Sequence, residues 1–221
     1  MPANAAANSP RTSNTHVNKN TMSGAAAGPQ INIIAVTGSL RRDSRNTGLL
    51  RAAADFLQRN NGVVNGKSVA IKIVVPDFPL FNEDIEAAPP AAVVEFREAV
   101  QNANAVLFAT TEYNYSVSAA LKNAIDWASR GPNGNVWKGK PCALVSSGGG
   151  NGGLRSQLAV RQSAVFLDLR VLNIPEVTVN GWAQPAPFDA NGGLIDSKVQ
   201  GYVDALVTRL VDEAAFQQTR Q

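Results

Sequence analysis

The 221-residue chain is long enough for one globular domain with a sizeable apolar core. Its residues are 44% hydrophobic and 17% charged, which argues against global disorder and against a coiled coil. The net charge of +3 belongs largely to the first 30 residues, which contain Arg11 and Lys19 but no carboxylate. The rest of the chain is nearly neutral and has no basic cluster, so we expect no nucleic-acid partner.

The scarcity of cysteine and histidine narrows the possible chemistry. Cys142 is the single cysteine and His16 the single histidine. One cysteine cannot form an intramolecular disulfide or a multi-cysteine metal site, and we expect Cys142 to be a small core residue. His16 lies in a polar N-terminal segment, which argues against Ser-His-Asp catalysis and His-ligated zinc. The chemistry must therefore come from a cofactor, or from carboxylates, hydroxyls and the backbone, and no metal is expected.

The N-terminal segment and the hydropathy pattern indicate where in the cell the protein is expected. Residues 1–30 are mainly Ala, Asn, Ser, Thr, Pro and Gly, so we predict a disordered extension. An organelle transit peptide is the alternative, disfavoured because the segment has one Arg and no amphipathic period. No apolar run approaches the roughly 20 residues that span a bilayer, and no secretory signal is recognisable. We therefore expect a cytoplasmic protein with no membrane partner.

From Ile31 onward, short apolar runs alternate with segments of helical period. The apolar runs predict strands at 31–37, 69–75, 105–110, 143–147 and 177–179. The helical periods predict helices at about 49–57, 92–101, 118–129, 153–166 and 195–210. Because each strand is followed by a helix, we predict an α/β fold, a doubly wound parallel sheet with helices on both faces. The domain is predicted to span residues 31–215, followed by a C-terminal tail at 216–221.

The loop between the first strand and the first helix favours phosphate binding. It offers serine hydroxyls, an arginine and a helix N-terminus, whose N–H groups and dipole attract anions. The residues concerned are Ser39, Arg41, Ser44, Asn46 and Thr47. The G-x-G-x-x-G and P-loop spacings are absent, which suits a terminal phosphate better than a bridging pyrophosphate. An ordinary capped helix start is the alternative interpretation.

Two further loops complete a possible pocket, because ligands of such sheets bind beyond the carboxyl ends of the strands. After the third strand, Tyr113, Asn114 and Tyr115 offer flat surface and an amide for a planar heteroaromatic ring. After the fourth, a glycine-rich run at 148–153 leaves backbone N–H groups open to a ligand. Surface tyrosines and a flexible glycine loop are the alternatives. Together the loops predict a pocket with a phosphate end and a flat-ring end.

Four segments carry a resemblance to a known family. They are GSLRRDSRN at 38–46, EYNYS at 112–116, LKNAIDWASR at 121–130 and GGLRSQ at 152–157. In content and order they resemble the NADPH-dependent FMN reductase family, in particular its NAD(P)H:quinone and chromate reductases. The match runs from about Ile31 to Leu210 and implies a flavodoxin-like fold with five parallel strands in the order 2-1-3-4-5. Thr111 departs from the family, which usually has Pro at this position.

The resemblance implies bound FMN as cofactor and NAD(P)H as co-substrate, with no catalytic side chain, since the chemistry would take place on the flavin. By position in the motifs, the phosphate would be held by Ser39, Arg41, Ser44 and Asn46, with Thr47 nearby. The ring and its ribityl chain would be lined by Glu112, Tyr113, Asn114 and Tyr115. Donors to the polar edge of the ring would come from Ser147, Gly148 and Gly149.

The resemblance also implies a reaction and an assembly. The reaction is hydride transfer from NAD(P)H through FMN to a small acceptor such as a quinone, chromate or azo compound, in ping-pong order. Family members are commonly dimers or tetramers, so we expect a homodimer or homotetramer, with Arg130 and Glu176 as candidates for subunit contacts. Two alternatives stay open. One is a flavodoxin-type electron carrier, although flavodoxins are usually strongly acidic; the other is a non-enzymatic interaction module on the same fold.

Overall fold

The computed structural model describes residues 30–220. The predicted extension, apart from its last residue, and the final residue of the chain lie outside this range. The described elements are, in chain order, β1 (Ile31–Thr37), α1 (Arg45–Arg59), β2 (Val63–Val64), β3 (Lys67–Val74), a 3-10 turn (Glu83–Ile85), α2 (Ala91–Gln101), β4 (Ala105–Thr110), β5 (Glu112–Tyr113), β6 (Ser116–Val117), α3 (Ala119–Ser129), β7 (Pro141–Gly148), α4 (Leu154–Leu167), β8 (Arg170–Val171), β9 (Val177–Asn180) and α5 (Ser197–Gln218).

Parallel strands form the centre of the structure. β1 pairs with β3 on one side and with β4 on the other, β4 pairs with β7, and β7 pairs with β9. These are the five strands predicted from the sequence, and their pairing places them as β3-β1-β4-β7-β9. The structure is therefore a mixed α/β fold with a central, mostly parallel sheet.

The main sheet has seven strands, so the prediction of five is corrected. β2 pairs antiparallel with β3 through a tight turn at Asn65 and Gly66, where the φ angles are 48° and 74°. β8 pairs with the beginning of β7, and β9 pairs with its end. Both additional strands have two residues, which is too short for an apolar period to appear in the sequence.

Helices cover both faces of the sheet, as the doubly wound prediction requires. Because side chains alternate along a strand, Ile31, Ile33 and Ala35 of β1 join a core cluster that includes buried residues of α1 and α5. Ile34 and Val36 join the opposite cluster, with buried residues of α2, α3 and α4. Burial on both faces explains why the central strands read as nearly unbroken apolar runs.

The second cluster includes Trp137 and also Cys142, the residue that the sequence assigned to the core. Trp137 is fully buried, and its ring centroid lies 5.3 Å from that of Phe108 and 5.9 Å from that of Phe96. Trp127 is buried as well, and its Nε1 donates to the carbonyl of Pro79 at 2.8 Å. Cys142 is fully buried, which confirms its predicted place in the core.

The last helix sets the C-terminal end of the described fold. α5 runs to Gln218 and so continues past residue 215, where the sequence placed the end of the domain. Between residues 30 and 220, no helix combines the length and apolar character needed to cross a bilayer. Over the same range, no three His, Cys, Asp or Glu side chains are grouped closely enough to hold a metal ion.

Candidate functional site

A cavity of about 210 Å³ lies among the loops that follow the parallel strands. β1, β4, β7 and β9 run in the same direction, so their carboxyl ends meet at one edge of the sheet. This is the edge at which doubly wound sheets bind ligands. The cavity is lined by Ser39, Arg41, Ser44, Arg45, Asn46, Thr111, Glu112, Tyr113, Ser147, Gly148, Gly149 and Trp182.

Most of the residues predicted from the three loops line this cavity, with three exceptions. Tyr115 lines an adjoining cavity of about 260 Å³. Asn114 is exposed and lines neither of the two cavities. Thr47 is buried behind the first loop, where its hydroxyl lies 2.9 Å from that of Thr37. Thr47 lines neither cavity, so its place near a bound phosphate stays a prediction.

The first loop ends at a helix N-terminus that borders the cavity. The Oγ of Ser44 accepts a hydrogen bond from the N–H of Thr47 at 3.4 Å, which is why α1 begins at the next residue, Arg45. The Oγ of Ser39 accepts from the N–H of Arg41 at 3.3 Å. Both hydroxyl groups act as acceptors in these bonds, so their hydrogens remain available to an anion.

Asn46 connects two loops of the site through its side chain, a contact that the sequence did not predict. Its Nδ2 donates to the carbonyl of Ser147 at 3.0 Å, and its Oδ1 accepts from the N–H of Ser147 at 2.8 Å. The side chain is buried, and it joins the first turn of α1 to the end of β7. One Nδ2 hydrogen remains for a ligand, so contact between Asn46 and a phosphate stays a prediction.

The second loop is a short β-hairpin. β5 and β6 pair antiparallel, and the two residues between them, Asn114 and Tyr115, have φ angles of 50° and 64°. Positive φ at both positions is what a type I′ turn requires, although it is uncommon for a tyrosine. The hairpin presents Tyr113 at the main cavity and Tyr115 at the adjoining one, both largely exposed.

The carboxylate of Glu112 is directed at the start of α4. Its Oε2 accepts from the N–H groups of Arg155 at 3.0 Å and Ser156 at 3.4 Å, while Oε1 lies 3.6 Å from a guanidinium nitrogen of Arg155. The N-cap position of α4 is Gly153, which has no side chain to cap the helix. Glu112 therefore supplies the cap from a neighbouring loop. The same guanidinium lies 3.9 Å above the ring of Tyr115.

In the third loop, the glycine-rich run at 148–153, backbone atoms rather than side chains border the cavity. A Cβ on Gly148 would lie 2.8 Å from the backbone nitrogen of Gly153, so no side chain fits at that position. At Gly149 the space around a Cβ is open. Gly148 and Gly149 both line the cavity, and the role of their backbone N–H groups as donors to a ligand stays a prediction.

Two buried hydroxyl oxygens at the cavity have no hydrogen-bond partner among the described residues. They are Oγ1 of Thr111 and Oγ of Ser147, and both residues line the cavity. Leaving a buried polar group unpaired costs about 1–3 kcal/mol. These hydroxyls mark positions at which a bound ligand would complete the hydrogen bonding.

Three lining residues were missing from the predicted set. Thr111 was noted in the sequence only as a departure from the family pattern, and Arg45 lay unassigned within the first motif. Trp182, in the Pro- and Gly-rich segment after β9, is 71% exposed and stacks on the guanidinium of Arg45 at 4.2 Å. Contacts between such distant segments leave no signal in a single sequence.

A larger cavity of about 490 Å³ lies at the opposite edge of the sheet. Its lining includes residues 101–104, just before β4, the first residue of β7, and four basic side chains, Lys138, Lys140, Arg170 and Arg220. None of the three motif loops reaches it. We therefore place the functional site at the carboxyl edge, where the motif residues converge.

Comparison with known proteins identifies the family of the chain. The family model of NADPH-dependent FMN reductases matches residues 31–184. A probable NADPH:quinone oxidoreductase 1 of Oryza sativa subsp. japonica is 45% identical over 192 residues, which cover 86% of this chain and 94% of the relative. An NADPH:quinone oxidoreductase of Arabidopsis thaliana is 49% identical over 170 residues, or 76% and 84% of the two chains.

A solved structure gives the same result. FerB, a flavoenzyme NAD(P)H:(acceptor) oxidoreductase from Paracoccus denitrificans, superimposes with a TM-score of 0.67 at 28% identity. The match covers 82% of this chain and 98% of FerB. The resemblance drawn from the sequence motifs is thus confirmed, and the chain belongs to the NADPH-dependent FMN reductase family.

Proposed function

We propose that the protein is an FMN-dependent NAD(P)H:quinone oxidoreductase. The observation that carries the proposal is the single cavity in which the phosphate-type loop, the tyrosine hairpin and the glycine loop meet. Membership of the FMN reductase family and the quinone reductase names of the relatives support the same assignment.

The lining residues fit FMN at its phosphate end. Hydroxyls of Ser39 and Ser44, the guanidinium of Arg41 and the N-terminus of α1 border one part of the cavity. Charge-assisted hydrogen bonds of this kind are the usual means of holding a phosphate. Glu112 is the one carboxylate among the lining residues, and it is turned toward α4, so repulsion of a phosphate there is small.

The lining residues also fit the ring end of the cofactor. The unpaired hydroxyls of Thr111 and Ser147 are suited to polar atoms of the ribityl chain or the ring. Backbone N–H groups at Gly148 and Gly149 would meet the polar edge of the ring and stabilise negative charge there. The exposed ring of Tyr113 offers a flat wall.

Bound FMN would supply the hydride chemistry, which explains why the site needs no histidine or cysteine nucleophile. The chain's own residues bind and orient the cofactor. The asparagine bridge from α1 to β7 fixes the distance between the phosphate loop and the glycine loop. The helix cap by Glu112 fixes the tyrosine hairpin against α4.

We propose that the donor and the acceptor use this site in turn, in ping-pong order. The support is the open mouth of the cavity, where Tyr113, Tyr115 and Trp182 are largely exposed and available for stacking. Quinones are the acceptors that the names of the relatives point to. Chromate and azo compounds are further proposed acceptors.

An anaerobic absorbance titration tests the proposal. The purified protein, loaded with FMN, is expected to lose its flavin absorbance on addition of NADPH or NADH and to regain it when a quinone is added. A flavodoxin-type carrier would bind FMN but show no rapid reduction by free NADPH. A folded protein that contains no flavin and takes up none from added FMN would contradict the proposal.

We further propose a homodimer or homotetramer acting in the cytoplasm. Arg130 and Glu176 are both exposed in the described chain, as residues for subunit contacts must be. Light scattering after size exclusion would measure the assembly. Arg130→Glu is expected to shift the assembly toward smaller species. If Arg130 contacts Glu176 across a subunit interface, the double variant Arg130→Glu with Glu176→Arg is expected to restore the assembly. A monomeric wild type would contradict the proposal.

A further inference from the structure

Arg45 lines the cavity, although the sequence assigned it no role. It is the first residue of α1, and it lines the cavity together with Arg41, Ser39 and Ser44. A cation at a helix N-terminus is opposed by the positive end of the helix dipole. The first turn of α1 contains no acidic residue to offset this repulsion. The local charge is therefore unfavourable for the helix alone and favourable for an anion.

The side chain of Arg45 contacts the segment that directly follows β9. Its guanidinium carbon lies 4.2 Å from the ring centroid of Trp182, a cation–π contact between segments that are distant in sequence. A Cβ on Gly181 would lie 2.8 Å from Nη1 of Arg45 and 2.9 Å from Oγ of Ser147. The absence of a side chain at Gly181 thus leaves room for the guanidinium beside the end of β7.

Arg45 has no carboxylate partner in the described chain that would explain its position. The ion pairs of residues 30–220 involve Arg42, Arg59, Lys67, Lys122 and Arg155 as cations. Arg45 is instead stacked on an indole and faces a cavity bordered by a second guanidinium. Two positive charges that border one cavity favour the binding of an anion there.

We propose that Arg45 is a second cation for the terminal phosphate of the bound cofactor, and that Trp182 is its positioning residue. The inference rests on the proposed function and adds to it the means by which the site selects a phosphorylated flavin over an unphosphorylated one. A phosphate dianion matches the two guanidinium charges of Arg41 and Arg45. The stacked indole keeps Arg45 beside the cavity and leaves its N–H groups free to donate.

The test compares FMN with riboflavin, which has the same ring and ribityl chain but no phosphate. Binding to the apoprotein is measured by quenching of flavin fluorescence. Arg45→Gln is expected to weaken FMN binding about tenfold or more, as for a charge-assisted bond, and to change riboflavin binding less than twofold. The melting temperature of the apoprotein should not fall, because the substitution removes a cation from a helix N-terminus.

Arg42→Gln is the matched control. Arg42 is the neighbouring arginine of the same loop, its side chain is 92% exposed, it pairs with Asp43, and it does not line the cavity. Its variant should bind FMN as the wild type does. The salt dependence of FMN binding gives a second readout, since the slope should decrease for Arg45→Gln and stay unchanged for Arg42→Gln.

Variants of Trp182 test its positioning role. Trp182→Leu is expected to weaken FMN binding and to leave riboflavin binding unchanged, while Trp182→Phe keeps a ring beneath the guanidinium and should restore most of the affinity. In the double variant with Arg45→Gln, the Trp182→Leu substitution should have no further effect.

The outcomes separate this inference from the proposed function. Equal losses of FMN and riboflavin binding in Arg45→Gln, or an unchanged salt slope, would overturn the phosphate assignment while leaving the flavoenzyme intact. A wild-type protein that binds no FMN would overturn both. A Trp182→Leu variant with wild-type FMN affinity would overturn the positioning role.

Discussion

The side-chain amide of Asn46 and the backbone of Ser147 form a reciprocal pair of hydrogen bonds, at 2.8 and 3.0 Å. The two residues are 101 positions apart in the sequence. Asn46 lies in the first turn of α1, and Ser147 lies near the end of β7, beside the glycine loop. The pair therefore joins two of the loops that border the cavity.

Removing this amide is expected to loosen both loops. Asn46→Ala would leave the N–H and the carbonyl of Ser147 unpaired in a buried place, which costs about 1–3 kcal/mol of unfolding free energy. Urea unfolding of the apoprotein measures this loss. Asn133→Ala, which removes an exposed bond to Gln101, is the control and should change stability by less than about 0.5 kcal/mol. Equal effects of the two substitutions would contradict the structural role.

The central strands and the helices of this fold were predictable from the sequence because the patterns behind them are local. The strand at 31–37 is buried on both faces, which produces a nearly unbroken apolar run. The helix at 91–101 shows a helical period because one face is buried. The β2–β3 hairpin was missed although Asn65-Gly66 is a strong signal for a type I′ turn. β8 gave no signal, since two residues have no measurable period.

Sequence patterns predicted which loops form the site, but not the contacts between side chains within it. The motifs at 38–46 and 112–116 indicated which segments meet, because parallel strands bring their carboxyl ends to one edge. The contacts of Asn46, Glu112 and Arg45 could not be predicted, because each joins side chains to a segment far away in the chain. A single sequence records no such pairing.

The two unpaired hydroxyls at the cavity give a prediction that separates stability from binding. Ser147→Ala and Thr111→Val each remove a buried oxygen that has no partner among the described residues. Unfolding free energy should therefore stay the same or rise, while FMN affinity should fall about threefold to tenfold for a lost hydrogen bond. Calorimetry and flavin fluorescence measure the two effects. A loss of apoprotein stability without a loss of affinity would show that the hydroxyls serve the fold and not the ligand.

Gly148 is expected to tolerate no side chain. In Gly148→Ala, the new Cβ would lie 2.8 Å from the nitrogen and 3.1 Å from the Cα of Gly153, both of them backbone atoms that cannot turn aside. Overpacking of this kind costs about 1–3 kcal/mol. Gly150→Ala is the matched control in the same loop, since its Cβ meets nothing within 4 Å. Thermal unfolding of the two variants measures the difference, and equal melting temperatures would contradict the close approach.

Burial raises the pKa of the Cys142 thiol far above its usual value, and the charge of Arg161 offsets this only in part. The folded protein therefore holds the thiol protonated, and its reaction with a disulfide reagent at pH 8 should follow the rate of unfolding. Because the folded pKa is raised, the related stability is complete below the unfolded pKa of about 8.5 and decreases as the pH rises above it. Fast labelling of the native protein would contradict the buried thiol.

The pH dependence has its own control. Above pH 8.5, the wild type should lose up to about 1.4 kcal/mol of unfolding free energy per pH unit more than Cys142→Ala, which has no thiol to ionise on unfolding. Other groups titrate equally in both proteins, so their effects cancel in the difference. Parallel stability curves for the two proteins would contradict the shift.

The capping of α4 by Glu112 is expected to depend on the charge of its carboxylate. Glu112→Gln keeps the shape of the side chain but removes the charge that faces the helix N-terminus and the guanidinium of Arg155. We expect a loss of about 1 kcal/mol in unfolding free energy at low salt, and a smaller loss in 1 M NaCl, where screening shortens the reach of charges to about 3 Å. Glu95→Gln is the control, because Glu95 is exposed and makes no ion pair in the described chain. A salt-independent loss would mean that Glu112 acts by hydrogen bonding alone, since only the charge–dipole part of the cap is sensitive to screening.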